Sequence, residues 1–174
     1  MEVKINTERL LIQAMTIIDA GFMLQLMNTP TWINHIGNRQ IYDNTAASNY
    51  IVNNIINSYH VNGFGLYLVK IKRDKTAIGI CGIVKRAGLQ IPDLGFAMLP
   101  TYTGKGFATE ASKAIVAYAR DHLGLSELAG ITKLDNKASI SVLEKVGMSF
   151  QKMIQLPQDS AEFALFSMAL HKEA

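Results

Sequence analysis

The sequence predicts an α+β fold in which a mixed, mostly antiparallel sheet of about seven strands is flanked by about four helices. Three observations lead to this prediction: two helix-like stretches come early, three short apolar runs follow in succession, and the last third alternates helix and strand patterns. A length of 174 residues suits one hydrophobic core better than two. Residues 1–174 are therefore expected to form a single domain.

The N-terminal third predicts one strand and two helices. An apolar run over residues 9–15 is typical of a strand, and Thr16 is a suitable N-cap for a following helix that runs to about Asn28 and is closed by Pro30. Over residues 44–62 apolar side chains recur at helical spacing, and the Asn-Gly pair that follows predicts the C-terminus of this second helix.

Short apolar runs separated by turns occupy the centre of the chain, at residues 65–71, 77–84 and 93–99. Their close spacing predicts a meander of three antiparallel strands. The remaining predicted elements are, in order, a helix over 106–122, a strand over 127–132, a helix over 137–146 and strands over 149–154 and 162–169.

The composition is that of a folded protein without an evident nucleic-acid or membrane partner. Hydrophobic residues make up 49% of the chain and charged residues 18%, which excludes disorder for most of it. The net charge of +3 is spread out. Its densest basic run, residues 70–75, is typical of a solvated hairpin turn, although a small anionic ligand is compatible with it. No apolar run reaches the ~18 residues that a membrane span needs.

Cysteine usage and the N-terminal residues favour a cytoplasmic location. Cys81 is the only cysteine, so an intrachain disulfide cannot form, and its place in an apolar run indicates a core residue and not a nucleophile. The first residues lack the basic stretch and apolar core of a secretion signal. His60, His122 and His171 show no metal-ligand spacing, so no metal is expected.

A glycine-rich segment, TGKGFATEA, lies between the last strand of the meander and the next helix. It places the backbone N–H groups of Thr103 through Thr109 at a helix N-terminus, where the first turn lacks internal acceptors and the helix dipole favours an anion. Gly104 and Gly106 leave the backbone open to a phosphate and permit a positive φ. A tight strand-to-helix connection without a ligand is the alternative.

Two phosphate-binding motifs are excluded for this segment. A P-loop needs Ser or Thr after its lysine, but Gly106 follows Lys105. A dinucleotide fingerprint needs a third glycine where Thr109 stands, and it opens a parallel βαβ unit, whereas an antiparallel meander precedes this loop.

Three segments carry a family resemblance: ERLLIQAM at residues 8–15, DLGFAMLPTYTGKGFATEAS at 93–112 and DNKASISVLEKVGM at 135–148. In this order and spacing they resemble the GNAT superfamily of acetyl-CoA-dependent N-acetyltransferases. Within it they are similar to the RimJ/RimL-like group, which acts on ribosomal-protein N-termini. The resemblance implies a GNAT-like fold, acetyl-CoA as co-substrate, no metal, and direct attack by a primary amine without a covalent acetyl-enzyme.

The resemblance also implies which residues hold acetyl-CoA. The family's loop pattern, Gln/Arg-x-x-Gly-x-Gly/Ala, falls on residues 103–108, with Thr103 in place of the long first side chain, and Lys105 can add a charge. In such enzymes the residue at Asn136 contacts the pantetheine arm, whereas helix N-capping is the alternative. The expected set is Ala97, Met98, Leu99, Thr103, Gly104, Lys105, Gly106, Phe107, Ala108, Thr109, Asn136 and Ser139.

Acyl transfer to an amine needs a base, a donor for the developing oxyanion and an acid for the leaving thiolate. The resemblance implies Ser139 as the acid, because Leu143 stands where many members carry a tyrosine. A bulge or splay within residues 96–99 is expected to free a backbone N–H near Ala97 or Met98 for the oxyanion.

Asp93 is the expected general base. It lies at the head of that strand and aligns with the glutamate that histone-acetylating relatives use. A solvent-exposed carboxylate without a catalytic role is the alternative, and His35 and Glu162 are reserve candidates.

The acceptor side is the least defined part of the sequence. By resemblance, Trp32, His35, Tyr67 and Phe96, together with Asn34, flank the acetyl site, although the aromatic residues also suit a core. A protein N-terminal α-amine, as in ribosomal proteins, is the first expectation for the acceptor. The alternatives are a small-molecule acceptor (polyamine, amino acid or amino sugar) and a non-catalytic CoA-binding sensor.

Overall fold

A computed structural model describes residues 3–157 and 159–171. They form one eight-stranded sheet, and its strands are β1 (Lys4–Asn6), β2 (Leu10–Gln13), β3 (Leu66–Ile71), β4 (Ala77–Val84), β5 (Asp93–Met98), β6 (Glu127–Thr132), β7 (Ser149–Gln155) and β8 (Glu162–Ala169). The helices are α1 (Ala20–Met27), α2 (Pro30–His35), α3 (Asn44–Tyr50), α4 (Asn57–Asn62), α5 (Phe107–Asp121) and α6 (Lys137–Lys145). A π-helical segment (Ile51–Ile56) makes α3 and α4 one continuous helix, so about five helices flank the sheet.

The strand order is β1-β2-β3-β4-β5-β6-β8-β7. Within the described ranges every pair of neighbours is antiparallel except β5 and β6, which are parallel. The predicted α+β fold and the meander β3-β4-β5 are confirmed. The sheet is mixed because the chain crosses over through α5 between β5 and β6, and only such a connection can join parallel neighbours.

The first helix ends close to the predicted Asn28, but its start and the role of Pro30 differ from the prediction. Thr16 caps a short 3₁₀ turn (Ile17–Asp19) that leads into α1, and α1 ends at Met27. Pro30 does not close this helix but begins α2, where its missing N–H is not needed and the Thr29 hydroxyl accepts a hydrogen bond from the Trp32 N–H. Strand β1 was also not predicted, because three residues with one apolar side chain carry no periodic signal.

Helix α5 packs on one face of the sheet. The Cys81 Sγ lies 3.7 Å from the Ser112 Oγ of α5, and Tyr67, Cys81 and Phe96 are cross-strand partners. These three side chains therefore share the α5 face, whereas Asp93, three residues before Phe96, belongs to the opposite face. Cys81 is fully buried, as expected for a core residue, and burial raises the pKa of its thiol to about 12.

None of the helices formed by residues 3–157 and 159–171 combines the length and the apolar character that crossing a membrane requires.

Candidate active site

The glycine loop connects β5 to α5 through a 3₁₀ turn (Pro100–Tyr102). The Thr103 N–H donates to the Pro100 carbonyl at 3.2 Å, and the first bond into α5 runs from the Glu110 N–H to the Gly106 carbonyl at 3.0 Å. The backbone N–H groups of residues 104–109 lie between these two bonds and have no acceptor among the described residues. The expected run of donors therefore begins at Gly104, because the N–H of Thr103 is already used.

Backbone conformation explains both glycines of the loop. Gly104 has φ +73° and Gly106 has φ +80°, values that side-chain-bearing residues rarely adopt. A Cβ at Gly104 would meet nothing within 4 Å, and one at Gly106 would lie 3.3 Å from the Arg9 Nη2. The Thr103 hydroxyl donates a hydrogen bond to the Pro100 carbonyl at 2.7 Å. The loop thus presents bare backbone donors at the N-terminus of a 15-residue helix, which fits the diphosphate of acetyl-CoA.

Arg9 braces this loop from β2, a role that the sequence did not reveal. Its Nε donates to the Glu110 Oε2 at 2.6 Å, its backbone N–H donates to the Glu110 Oε1 at 2.8 Å, and its Nη1 donates to the Lys105 carbonyl at 3.0 Å. Its guanidinium also lies 4.4 Å from the centre of the Phe107 ring. Partial burial opposes the charge of Glu110, but hydrogen bonds from Thr7 and Arg9 outweigh it and lower the pKa of that carboxyl.

Strands β5 and β6 diverge along their length. Within the described residues their register contains the single pair Asp93 and Ala129, next to a bond from the Ala129 N–H to the Pro92 carbonyl at 2.9 Å. Beyond this point the two strands separate, which confirms the expected splay. The opening between them lies along the stretch of β5 that leads to the glycine loop.

The β4–β5 register identifies the backbone donors that face this opening. The Leu99 N–H donates to the Ile78 carbonyl at 2.8 Å, and Ala97 lies opposite Ile80. Because donors alternate along an antiparallel strand, the Ala97 N–H also turns toward β4. The N–H groups of Phe96 and Met98 therefore point toward β6. Of the two expected oxyanion donors, Met98 therefore has its N–H directed toward the opening and Ala97 does not, and the oxyanion role of Met98 stays a prediction.

Asp93 is buried and paired. Its side chain is 1% exposed, and the Nε of Arg86 donates to both carboxylate oxygens, at 3.0 and 2.9 Å. Burial raises the pKa of Asp93, and the charge and hydrogen bonds of Arg86 oppose that rise without cancelling it. The alternative of a solvent-exposed carboxylate is therefore wrong. The role of Asp93 as a base remains a prediction.

Asn136 and Ser139 lie at the start of α6. The Asn136 Oδ1 accepts a hydrogen bond from the Ser139 N–H at 3.2 Å, so Asn136 acts as the N-cap of this helix. Ser139 is half-buried, and Leu143 follows it by one turn on the same face. Leu143 is 2% exposed and packs against β6, where a Cβ on Gly130 would lie 2.5 Å from its Cδ2. Ser139 thus lies on the side of α6 that faces β6.

The expected acceptor residues divide into two groups. Trp32 and His35 lie one turn apart on α2, and the Trp32 Nε1 and His35 Nδ1 are buried without a hydrogen-bond partner in the described part of the chain. Lys133, just after β6, donates from its Nζ to the Asn34 carbonyl at 3.2 Å, which holds α2 beside the β6–α6 connection.

Tyr67 and Phe96 belong to the second group. Tyr67 is fully buried, stacks on Tyr59 with ring centres 5.4 Å apart and meets the edge of Tyr118 at 6.2 Å. Its surroundings are those of a core residue. Phe96 is half-buried on the α5 face, and Glu162, the reserve base, is an exposed residue at the start of β8.

A family model described as an acetyltransferase (GNAT) domain matches residues 9–149. The chain belongs to the GNAT acetyltransferase family. Members of this family are acetyl-CoA-dependent N-acetyltransferases. Among the described residues, no group of three or more His, Cys, Asp or Glu side chains is arranged to hold a metal ion.

Individual relatives agree with this assignment. YkkB of Bacillus subtilis (strain 168), described as an uncharacterized protein, is 32% identical over 95 residues, which span 53% of this chain and 55% of YkkB. The uncharacterized N-acetyltransferase p20 of Bacillus licheniformis is 27% identical over 150 residues, 84% of this chain and 81% of p20.

The structure of RimL, a ribosomal L7/L12 alpha-N-protein acetyltransferase in complex with coenzyme A, has the same fold. Its TM-score is 0.82 at 13% identity, and the match covers 97% of this chain and 98% of RimL.

Proposed function

We propose that the chain transfers the acetyl group of acetyl-CoA to the α-amine at a protein N-terminus, as RimJ/RimL-like enzymes do. One observation carries the choice of a protein acceptor. Three apolar side chains are exposed beside the Lys133–Asn34 contact: Ile33 (38%) and Ile36 (40%) on α2, and Leu134 (52%) after β6. We call these three side chains the rim. A small polar acceptor has little apolar surface to bury against the rim, whereas the residues that follow an N-terminal amine can bury apolar side chains there.

The residues described above supply the groups that this reaction needs. Acetyl-CoA supplies an activated thioester. The N–H groups of residues 104–109 bind its diphosphate, and the N–H of Met98 stabilises negative charge that develops on the acetyl oxygen. Asp93 accepts the proton of the acceptor ammonium, directly or through one water, and Ser139 gives a proton to the departing thiolate and regains one from solvent.

The fold of RimL, which acts on the α-amine of ribosomal L7/L12, is compatible with this proposal. The likeness extends to the fold alone, because the identity is 13%. The acceptor itself is proposed from the exposed rim and not from this relative.

A small-molecule acceptor is the second candidate. The buried Nε1 of Trp32 and Nδ1 of His35 have no partner among the described residues, and a buried polar atom without a partner is costly. A compact acceptor with its own hydrogen-bonding groups, such as an amino acid or amino sugar, could satisfy them.

A screen of thiol release from acetyl-CoA distinguishes these candidates. The panel contains peptides with free and with blocked N-termini, spermidine, free amino acids and an amino sugar. We expect turnover with free N-termini only, and mass spectrometry should locate the acetyl group on the α-nitrogen. Turnover limited to the small amines would favour the second candidate. Tight acetyl-CoA binding without turnover of any acceptor would favour a sensor.

Two substitutions test the rim directly. Ile33→Ser with Ile36→Ser should raise KM for the best peptide by roughly tenfold, because each removes buried apolar contact, and leave KM for acetyl-CoA unchanged. Val61→Ser is the matched control, since Val61 is 72% exposed at the far end of α4. An equal effect of the control would contradict a specific role of the rim.

A further inference from the structure

A cationic groove of about 410 Å³ lies beside the first residue of α5. Its lining residues are Glu8, Arg9, Ile71, Lys72, Arg73 and Phe107. Three cations and one carboxylate thus surround the groove, and Ile71 and Phe107 give it an apolar wall. The hairpin between β3 and β4 contributes Lys72 and Arg73, which the sequence associated with a solvated turn.

The groove and the glycine loop are adjacent, because Arg9 and Phe107 contribute to both. Arg9 lines the groove and donates from its Nη1 to the Lys105 carbonyl of the loop at 3.0 Å. Its Nη2 lies 3.3 Å from the position of a Cβ on Gly106. Phe107 lines the groove and is also the first residue of α5. An anion held by the loop would therefore lie next to this groove.

Two of the three cations are available to an anionic ligand. Arg9 is neutralised by Glu110 through the 2.6 Å contact. Lys72 donates from its Nζ to the Thr7 carbonyl at 3.0 Å, which uses one of its three N–H bonds and fixes the ammonium at the groove. Arg73 is 90% exposed and lies 3.9 Å from the Asp74 carboxylate, a loose surface pair that contributes little.

We propose that this groove binds the 3′-phosphate of acetyl-CoA, with Lys72 and Arg73 as its ligands. The inference rests on the proposed use of acetyl-CoA. The ribose that carries the 3′-phosphate is joined directly to the diphosphate, so a diphosphate on the loop places the 3′-phosphate close by. A phosphate monoester is a dianion, and two cations beside an apolar wall suit a phosphorylated nucleoside. Glu8 at the groove edge opposes the anion but does not outweigh the two available cations, Lys72 and Arg73.

Calorimetry with two ligands tests this assignment without reference to activity. The ligands are acetyl-CoA and acetyl-dephospho-CoA, which differ only in the 3′-phosphate. The double variant Lys72→Ala/Arg73→Ala should bind acetyl-CoA about tenfold more weakly than the parent, because partly exposed charge-assisted hydrogen bonds are lost. Its affinity for acetyl-dephospho-CoA should equal that of the parent. The parent should bind acetyl-CoA about tenfold more tightly than it binds acetyl-dephospho-CoA.

Two control variants show whether the loss of acetyl-CoA affinity arises from the cations of the groove. Lys75→Ala removes one charge from the same hairpin but not from the groove, and we expect less than a twofold change with either ligand. Lys137→Ala removes a cation at the start of α6, the other helix that faces the cleft. A loss confined to acetyl-CoA in Lys137→Ala would place the 3′-phosphate at α6 and overturn the proposal.

The remaining outcomes are also decisive. An equal loss for both ligands in the double variant would show that Lys72 and Arg73 do not recognise the 3′-phosphate. Inorganic phosphate that binds the groove without competing with acetyl-CoA would show a separate anion site, and would equally overturn the proposal. If the parent binds neither ligand, the proposed function fails. If it binds both with equal affinity, only the groove assignment fails.

Discussion

At the glycine loop, the groups proposed to bind acetyl-CoA are backbone N–H groups of residues 104–109, held by two glycines at positive φ. At the proposed acceptor end they are side-chain atoms of Trp32 and His35 on α2 and of Asp93 on β5. Local backbone geometry fixes the first end, and contacts between distant elements fix the second. We therefore expect changes at the loop to alter acetyl-CoA affinity, and changes around Asp93 to alter turnover.

The largest effect is expected for Gly106→Val. A β-branched side chain at φ +80° strains the backbone by about 1–3 kcal/mol, and its Cβ would project to within 3.3 Å of Arg9. Acetyl-CoA affinity measured by calorimetry should fall ~10²-fold or more, because the backbone donors are displaced or covered. Gly124→Val is the matched control, since Gly124 has φ +65° and open space around it. If Gly124→Val weakens binding equally, strain and not the loop is responsible.

Asp93→Asn should lower kcat/KM by roughly 10²-fold while acetyl-CoA affinity stays within a few-fold of the parent. Activity of the parent should fall as the pH drops through the pKa of Asp93, because the protonated carboxyl cannot accept a proton. Burial raises that pKa, so this acidic limb lies above the usual range of an aspartate. A pH–rate profile should show the limb in the parent and not in the variant.

The variant must also be checked for its fold, because Arg86 loses its anionic partner. Arg86 is 35% exposed, so water can solvate the remaining charge. Arg86→Lys provides a second test, since it keeps the positive charge but removes the Nε that contacts both Asp93 oxygens. It should shift the acidic limb without abolishing it. A parent-like limb in Asp93→Asn would exclude Asp93 as the base.

A smaller effect is expected for Ser139→Ala. Loss of a hydroxyl that protonates the thiolate should lower kcat by about tenfold and leave KM for acetyl-CoA nearly unchanged. The N-cap is preserved, because Asn136 accepts from the backbone N–H of residue 139 and not from its side chain. Ser141→Ala on the same helix is the control. Equal kcat values for the two variants, with chemistry rate-limiting, would assign Ser139 a structural role only.

The smallest effect is expected for Glu110→Gln, which weakens the brace between β2 and the loop. KM for acetyl-CoA should rise a few-fold with kcat unchanged. The pKa of Glu110 is lowered below its usual 4.5, so the carboxylate stabilises the folded state above that pH. The stabilisation is lost as the pH falls through the lowered value. The difference in Tm between parent and variant should therefore shrink as the pH falls through that lowered value.

The sequence predicts those parts of the fold and site whose signals are local. The glycine loop, α5 and the meander each depend on a pattern within one short stretch. Their places in the fold are confirmed, and the binding of acetyl-CoA by the loop stays a prediction. Two elements with weak local signals are not predicted: β1 has one apolar residue, and α2 begins at Pro30, where the sequence pattern indicates the end of a helix.

Side-chain pairings and N–H directions that depend on tertiary contacts could not be predicted from the sequence. Arg9 and Glu110 are separated by 101 residues, and a single sequence contains no information about their pairing. Arg86 and Asp93 are seven residues apart, but their contact depends on the register of the β4–β5 hairpin. The direction of the Ala97 and Met98 N–H groups likewise follows from that register, and residue types do not determine it.

The separation of β5 from β6 has a consequence for the kinetic scheme. Backbone pairing closes the sheet on the β4 side of β5, whereas beyond Asp93 and Ala129 no pair of described residues joins β5 to β6, and the Met98 N–H has no backbone acceptor among them. In the proposed reaction the acceptor amine attacks acetyl-CoA directly, so both reactants must be bound at the same time and neither leaves before the other arrives. Cys81, the chain's one thiol, is fully buried and offers no site for a stored acetyl group. Initial-rate plots against acetyl-CoA at several acceptor concentrations should therefore intersect and not run parallel.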